Sequence, residues 1–220
     1  MNRKLLILVT LLVFVSTACS QSLVKTDNTI EFEKLEEAKD WSEPFIVTSL
    51  NPKGVKVALE DGGMKFHLSS KETYVYKFLN RNDYKDVTIK AEIENAGINN
   101  NGIAFVCRAN EEKTEWIEFR ITNQGRYDLY HYDDELRYEY KNPYVSLLRS
   151  GKTEALYPIK NNFIQVTCEE NTFSLVINDE EIFEKEIPII EDEGGVGVGA
   201  MAFDELPVSI IYQSVNFNRP

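Results

Sequence analysis

The residues with the clearest capacity for chemistry lie on three consecutive runs of alternating side chains, residues 102–108, 116–122 and 126–132. Successive side chains of a strand point to opposite faces, so every second residue shares a face if the runs are neighbouring strands. One such set is Arg108, Trp116, Glu118, Arg120, Asp128, Tyr130 and Tyr132. Aromatic rings stack on the apolar faces of sugars, and charged groups hydrogen-bond their hydroxyls. The set therefore predicts a carbohydrate-binding face.

The same positions also fit a purely structural role. Opposite charges on neighbouring strands stabilise a sheet as cross-strand pairs. Arg108–Glu118 and Arg120–Asp128 would be such pairs if the three strands align. The face would then be a solvated ladder of ion pairs without a ligand, and both interpretations stay open.

Catalytic groupings are sparse. Glu92 and Glu94 share a strand face at the i, i+2 spacing, about 7 Å apart. Two carboxylates at this distance can act as acid and base, but alternating surface charge produces the same pattern. His67 and His131 fall among apolar strand neighbours and are expected to pack in the core or at a sheet edge. We assign no catalytic residue.

Metal-binding groupings are equally sparse. The acidic loops at residues 133–135 and 191–193 have the oxygen ligands that calcium prefers. Neither loop has the spacing of an EF-hand, and adjacent acids in a turn are commonly just solvated. The chain has only two His and three Cys, which leaves little material for a zinc site. No metal and no other cofactor is assigned.

The elements that must position these residues are almost all strands. Short runs rich in β-branched and aromatic residues alternate with turns rich in Gly, Asn and Asp, which is typical of an all-β sandwich. The predicted strands cover residues 54–59, 64–68, 74–78, 87–93, 102–108, 116–122, 126–132, 136–140, 163–168, 172–177, 181–185, 195–203 and 208–217. The glycine-rich run at residues 194–199 lacks the Lys and Ser/Thr of a phosphate loop and is interpreted as a strand that packs closely.

The first residues are typical of an export signal. Arg3 and Lys4 precede an apolar run at residues 5–15 that is too short to span a membrane. Residues 16–19 (STAC) resemble a bacterial lipoprotein cleavage site, which implies removal of residues 1–18 and lipidation of Cys19. Residues 19–28 are then an anchor and tether, and residues 29–219 are the folded domain. We expect an extracytoplasmic protein that is anchored to the cell envelope; ordinary secretory cleavage is the alternative.

Two cysteines remain after removal of the leader, apart from the anchor. Cys107 shares a strand face with Ile103 and Phe105, and Cys168 lies in a second apolar run. Both thiols are thus expected to point into the core, and disulfides persist in exported proteins. The pattern predicts a Cys107–Cys168 disulfide, with a contribution of about 4 kcal/mol in the chain-entropy account. Two reduced core cysteines are the alternative.

Composition bounds the class of protein. The 220 residues include 12 Phe, 11 Tyr and 2 Trp, enough for a sizeable core, and the formal net charge is −12. Because phosphate groups repel an acidic surface, nucleic acid is excluded as a partner, and membrane contact is expected only through the lipid anchor.

Four groups of motifs occur in a characteristic order. They are residues 84–87 (YKDV); 101–108 (NGIAFVCR) with 115–119 (EWIEF) and 125–127 (GRY); 150–151 (SG) with 162–166 (NFIQV) and 173–178 (FSLVIN); and 195–199 (GVGVG). In this order they resemble a concanavalin A-like, laminin-G-like jelly roll, as in exported bacterial lipoproteins and 3-keto-disaccharide hydrolase-like domains. The resemblance implies a two-sheet antiparallel sandwich with one concave face. It does not identify a ligand, because this fold hosts lectins, hydrolases and adhesion modules.

Together these features predict a lipid-anchored, extracytoplasmic module that binds carbohydrate. A glycoside-acting hydrolase of the keto-disaccharide type and an adhesion or envelope module with a protein partner are the alternatives.

Overall fold

The computed structural model describes residues 28–31, 40–48, 52–60, 63–95, 100–188 and 193–219. The predicted leader and Cys19 lie outside the described residues, as does the tether up to residue 27. The described strands are β1 (Asn28–Glu31), β2 (Phe45–Thr48), β3 (Val55–Glu60), β4 (Gly63–Leu68), β5 (Thr73–Phe78), β6 (Val87–Asn95), β7 (Asn101–Ala109), β8 (Glu115–Thr122), β9 (Arg126–Asp133), β10 (Tyr144–Lys152), β11 (Asn161–Glu169), β12 (Thr172–Ile177), β13 (Glu180–Glu186), β14 (Gly195–Ala202) and β15 (Val208–Asn218). One short helix, α1 (Glu135–Tyr138), follows β9. Within these ranges, no helix is long and apolar enough to cross a membrane.

The strands form two antiparallel sheets. The front sheet has the order β10-β9-β8-β7-β14-β5-β2. The back sheet has the order β13-β12-β11-β6-β15-β4-β3, and β1 also pairs with β15. The prediction of an all-β, two-sheet antiparallel sandwich is confirmed.

The core lies between the two sheets because both sheets turn their apolar positions inward. On the back sheet, β6 alternates buried and more exposed residues along most of its length, as a half-buried strand should. The largest fully buried rings of the core come from both sheets and include Phe66, Phe105, Phe119, Phe173 and Phe217. Each such side chain contributes about 1.5–3 kcal/mol when it leaves water.

The predicted disulfide is confirmed. Cys107 of β7 and Cys168 of β11 are joined by an S–S bond of 2.07 Å, and both residues are fully buried. Because β7 belongs to the front sheet and β11 to the back sheet, the bond ties the two layers of the sandwich together.

The predicted strand at residues 136–140 is wrong. Most of this segment belongs to the helix α1. Asp134 precedes the helix and forms an ion pair with Arg137, with 2.9 Å between its Oδ1 and the guanidinium Nη1. Its backbone bonds are local, such as Arg137 N–H to the Asp134 carbonyl, so the segment does not pair with a strand. The alternating tyrosines that suggested a strand are instead solvent-exposed, Tyr138 at 81% and Tyr140 at 99%.

The next segment is a strand that the sequence pattern did not reveal. β10 forms the free edge of the front sheet beside β9, and none of its residues is fully buried. Because β10 is an edge strand with both faces at least partly exposed, its apolar and polar residues need not alternate. The alternation by which the other strands were predicted is therefore missing from its sequence. The short strand β2, at the other edge of this sheet, was missed as well.

Candidate functional site

The outer face of the front sheet carries a second apolar cluster, separate from the core between the sheets. The predicted binding residues Trp116 and Tyr132 belong to it. Its buried members are Val47, Tyr76, Phe78, Ala104, Val106, Ala109, Trp116, Tyr132 and Met201, with Phe45, Tyr74, Tyr144 and Phe203 packed against them. The face that the sequence predicted therefore exists, but the protein's own side chains cover much of it.

Glycines in β14 make room for these rings. A Cβ atom on Gly199 would lie 2.7 Å from the Tyr76 ring, and one on Gly197 would lie 3.0 Å from the Phe78 ring. Contacts this short are not tolerated, so only glycine lets the two rings lie across β14. The glycine-rich run is thus a strand that packs closely, as the sequence indicated.

Trp116 and Tyr132 are the floor of this face. Their rings stack with centroids 3.7 Å apart and planes 11° from parallel. Phe45 packs edge-on against Trp116, and Tyr144 packs against Tyr132. Trp116 is 1% exposed and Tyr132 is fully buried, so neither ring is accessible to a ligand in this structure.

Glu118 is a fully buried carboxylate beneath the face. It accepts hydrogen bonds from Tyr76 Oη at 2.8 Å, Trp116 Nε1 at 3.2 Å and Arg120 Nε at 2.7 Å. A buried charge is tolerated only when it is paired and hydrogen-bonded, and Glu118 satisfies both conditions. Its environment indicates a structural role for this side chain.

Arg120 completes the buried network. Its guanidinium carbon lies 4.2 Å from the ring centroid of Tyr144, 4.6 Å from that of Tyr130 and 5.0 Å from that of Tyr74. Burial has the largest single effect and lowers the pKa of Arg120, but the carboxylate of Glu118 and three nearby tyrosines together raise it by more, so the guanidinium stays charged. The rings and the carboxylate fix Arg120 in one orientation.

A second ion pair lies nearer the surface. Asp128 is 3% exposed and accepts hydrogen bonds from Arg126 Nε at 3.0 Å and from the hydroxyl of Ser150. The side chain of Arg126 is 57% exposed, and its hydrogen bond to Asp128 raises its pKa. Arg126 was not among the predicted site residues, although its i, i+2 spacing from Asp128 places both residues on the same face of β9.

Arg108 does not lie on this face. Gly195 pairs with Ala109, whereas Gly197 pairs with Val106, so β7 contains an extra residue opposite β14. Arg108 has a φ of 56° at this bulge, which reverses the alternation.

The guanidinium of Arg108 instead lies over the ring of Phe173 and donates to the carbonyl of Glu170. The placement of the other six predicted residues on one face agrees with the structure. The ion pairs of the ladder alternative do not form: Glu118 pairs with Arg120, and Asp128 pairs with Arg126.

An open depression lies beside the buried network, with a volume of about 300 Å³. It is lined by Asn100, Arg120, Thr122, Gln124, Arg126, Asp128, Tyr130 and Phe203. Three of the predicted residues, Arg120, Asp128 and Tyr130, thus reach an accessible site. The sequence prediction did not include the other five. Asn100, Gln124 and Phe203 lie outside the strands, where alternation carries no signal, whereas Thr122 and Arg126 continue the alternation of β8 and β9 and could have been found from it.

A second depression of about 550 Å³ adjoins the first. It is lined by Gln124, Arg126, Ser150, Gly151 and Lys152, so the two depressions share Gln124 and Arg126. We call the two together the groove. Gly151 also leaves room for the Tyr127 ring, because a Cβ atom there would lie 2.1 Å from that ring.

The acidic loop considered for calcium is engaged with protein groups. Asp134 accepts hydrogen bonds from the Tyr132 hydroxyl at 2.7 Å and from Arg137 at 2.9 Å. Among the residues that the structure describes, no three His, Cys, Asp or Glu side chains form a group that could hold a metal ion. Residues 191 and 192 of the other loop lie outside the described residues.

Solved structures with a similar fold share little sequence with this chain. A carbohydrate-binding module, CBM66 from Bacillus subtilis, is 11% identical with a TM-score of 0.55, over 80% of this chain and 93% of that one. A β-1,3-1,4-glucanase (lichenase) from a mouse hindgut metagenome is 12% identical with a TM-score of 0.61, over 89% and 100%. The metal-free carbohydrate recognition domain of Emp46p is 16% identical with a TM-score of 0.58, over 84% and 92%. These likenesses confirm the jelly-roll fold.

No protein-family model and no curated protein matches the sequence.

Proposed function

We propose that this chain is a carbohydrate-binding module and that the groove is its binding site. The observation that carries the proposal is the composition of the depression, in which two aromatic rings, Tyr130 and Phe203, line the same open site as the polar groups of Gln124 and Arg126. Aromatic rings stack on the apolar faces of sugars, whereas amide and guanidinium groups hydrogen-bond hydroxyls.

The site is built in advance of any ligand. Arg120 is held by Glu118 and three tyrosine rings, and Asp128 holds the guanidinium of Arg126. A binding site whose side chains are already ordered loses little conformational entropy on association. The similar structures that include a carbohydrate-binding module and a carbohydrate recognition domain support the same conclusion.

The cellular location is part of the proposal. An export leader followed by Cys19 supports a lipid-anchored, extracytoplasmic protein. The Cys107–Cys168 disulfide supports it as well, because such bonds persist mainly in oxidising compartments outside the cytosol.

The test is a glycan-array screen of the full chain, followed by titration calorimetry with the glycans that bind. Gln124→Ala removes an exposed amide that has no hydrogen bond to any described residue, and we expect it to weaken binding about fivefold. Tyr130→Ala removes an aromatic wall, and we expect it to weaken binding more than tenfold.

The matched control is Phe163→Ala. Phe163 is 60% exposed and lies on the back sheet, so its removal deletes a surface ring without changing the groove. If Phe163→Ala weakens glycan binding and the two groove variants do not, the binding site lies on the back sheet and not in the groove. If no glycan binds the folded protein, the proposed function is wrong and a protein partner becomes the better hypothesis.

A further inference from the structure

The cations that line the groove are all compensated. Each of the three has a carboxylate within 4 Å: Arg120 with Glu118 at 2.7 Å, Arg126 with Asp128 at 3.0 Å, and Lys152 with Glu154 at 3.6 Å. The formal charge of these six side chains therefore sums to zero. At longer range the chain as a whole carries a net charge of −12.

This pairing opposes an anionic ligand. A carboxylate or sulfate on a sugar would have to compete with Asp128 for Arg126. It would also be repelled by the negative charge of Asp128, which stays close to the guanidinium. Arg120 cannot turn toward it, since Glu118 and the surrounding rings hold the guanidinium. The amide of Gln124, by contrast, both donates and accepts hydrogen bonds, which suits an uncharged hydroxyl.

The shape of the groove indicates how long the ligand is. Phe203, directly after β14, lies at one end, and Lys152, at the end of β10, lies at the other. These points lie on the outer two of five neighbouring strands, β14-β7-β8-β9-β10, so they are four strand spacings or about 19 Å apart. Since a pyranose ring is about as wide as one strand spacing of ~4.8 Å, three or four sugar units fill the groove.

We infer that the ligand is a neutral oligosaccharide of three or four units that lies across the strand ends of the front sheet. This inference rests on the proposed function and adds its substrate class.

The experiment compares neutral oligosaccharides of one to six glucose, mannose, galactose or xylose units with oligomers of uronic acids of the same lengths. We expect affinity for the neutral series to rise up to three or four units and then to level off. We expect uronic acid oligomers to bind at least tenfold more weakly.

A charge variant tests the cause of this selectivity. Asp128→Asn removes the negative charge that compensates Arg126 while keeping a side chain of the same shape. One uncompensated charge near the ligand in a solvated site should strengthen binding of uronic acid oligomers about fivefold, and added salt should cancel the gain. Asp179→Asn, at an exposed position in the turn between β12 and β13 of the back sheet, makes the same change in net charge away from the groove.

Glu154→Gln is a second variant that does not depend on a buried residue. Glu154 is 94% exposed, so its replacement leaves folding intact and frees Lys152 at the other end of the groove. It should strengthen binding of uronic acid oligomers in the same direction as Asp128→Asn.

Three results would overturn the inference while leaving carbohydrate binding in place. In the first, uronic acid oligomers bind the unaltered protein as tightly as neutral oligomers do. In the second, neither charge variant binds uronic acid oligomers more tightly than the unaltered protein does. In the third, single sugars bind as tightly as tetrasaccharides. Absence of binding to every neutral and acidic glycan would instead reject the proposed function on which the inference rests.

Discussion

The buried ion pair between Glu118 and Arg120 gives the sharpest test of how this face is built. Glu118 is fully buried and Arg120 is 8% exposed, so neither charge is shielded by bulk water. Glu118→Gln keeps the size of the side chain but leaves the guanidinium of Arg120 without its carboxylate. The prediction is that this change destabilises the fold strongly.

The magnitude follows from the distance and the burial. At 2.7 Å and an effective dielectric constant of about 20, the gross attraction is about 6 kcal/mol. Much of it is offset by the cost of taking both ions out of water. What a single substitution measures is mainly the uncompensated charge that remains, so Glu118→Gln should lower the free energy of unfolding by about 3–5 kcal/mol.

The double substitution should behave differently. Glu118→Met combined with Arg120→Met removes both charges and leaves the Tyr76 and Tyr144 hydroxyls bonded to each other at 2.9 Å. It also leaves Trp116 Nε1 without its acceptor, which costs about 1–3 kcal/mol. The double variant should therefore lose no more than about 1–3 kcal/mol. Glu118→Met alone and Arg120→Met alone should each lose more, about 3–5 kcal/mol, because each leaves one buried charge uncompensated.

The assay is urea unfolding followed by tryptophan fluorescence, with the slope m compared among variants. Glu184→Gln on β13 is the control, because this glutamate is exposed and should change stability by less than about 0.5 kcal/mol. A loss of less than about 1 kcal/mol for Glu118→Gln would refute the reasoning. A double variant whose loss equals the sum of the two single losses would refute it equally.

Two further predictions concern the proposed lipidation of Cys19 and the response of the fold to alkali. Cells that express the full chain should incorporate a labelled fatty acid into it, and Cys19→Ala should abolish the label; equal labelling of both proteins would reject lipidation at Cys19. Burial raises the pKa of Tyr76 and Tyr212 above the ordinary value of 10.0, so only the unfolded chain loses these protons near pH 10. The free energy of unfolding should therefore be unaffected by these tyrosines below about pH 10 and should fall above it. The decrease is at most about 1.4 kcal/mol per pH unit for each tyrosine. Urea midpoints between pH 8 and 11 measure the effect, and a midpoint independent of pH would contradict it.

Much of the fold followed from local patterns. Period-two alternation located most strands, and the apolar faces around Cys107 and Cys168 predicted the disulfide that joins the sheets. The same alternation placed Trp116, Glu118 and Arg120 correctly on one face of β8. These features are local because the direction of a side chain on a strand depends only on its position in the strand.

Two local predictions did not hold, for identifiable reasons. The bulge at Arg108 inserts one residue into β7, which turns this side chain away from the face. Residues 136–140 alternate like a strand but have no strand to pair with, so the backbone closes its hydrogen bonds locally as α1. Neither the bulge nor the missing partner is encoded in the alternation itself.

The sequence by itself determined that the chain forms strands, that these build two sheets and, apart from Arg108 at its bulge, which of the predicted site residues share a face. Only the tertiary structure decided which of those residues a ligand can reach. Tyr76, 42 positions from Glu118, donates its hydroxyl to that carboxylate across the glycines of β14, and Phe45 covers Trp116. The face to which a side chain points is a local property of its strand, whereas the burial of that side chain depends on neighbours that are distant in the sequence. The predicted site thus divides into a buried floor and an open groove.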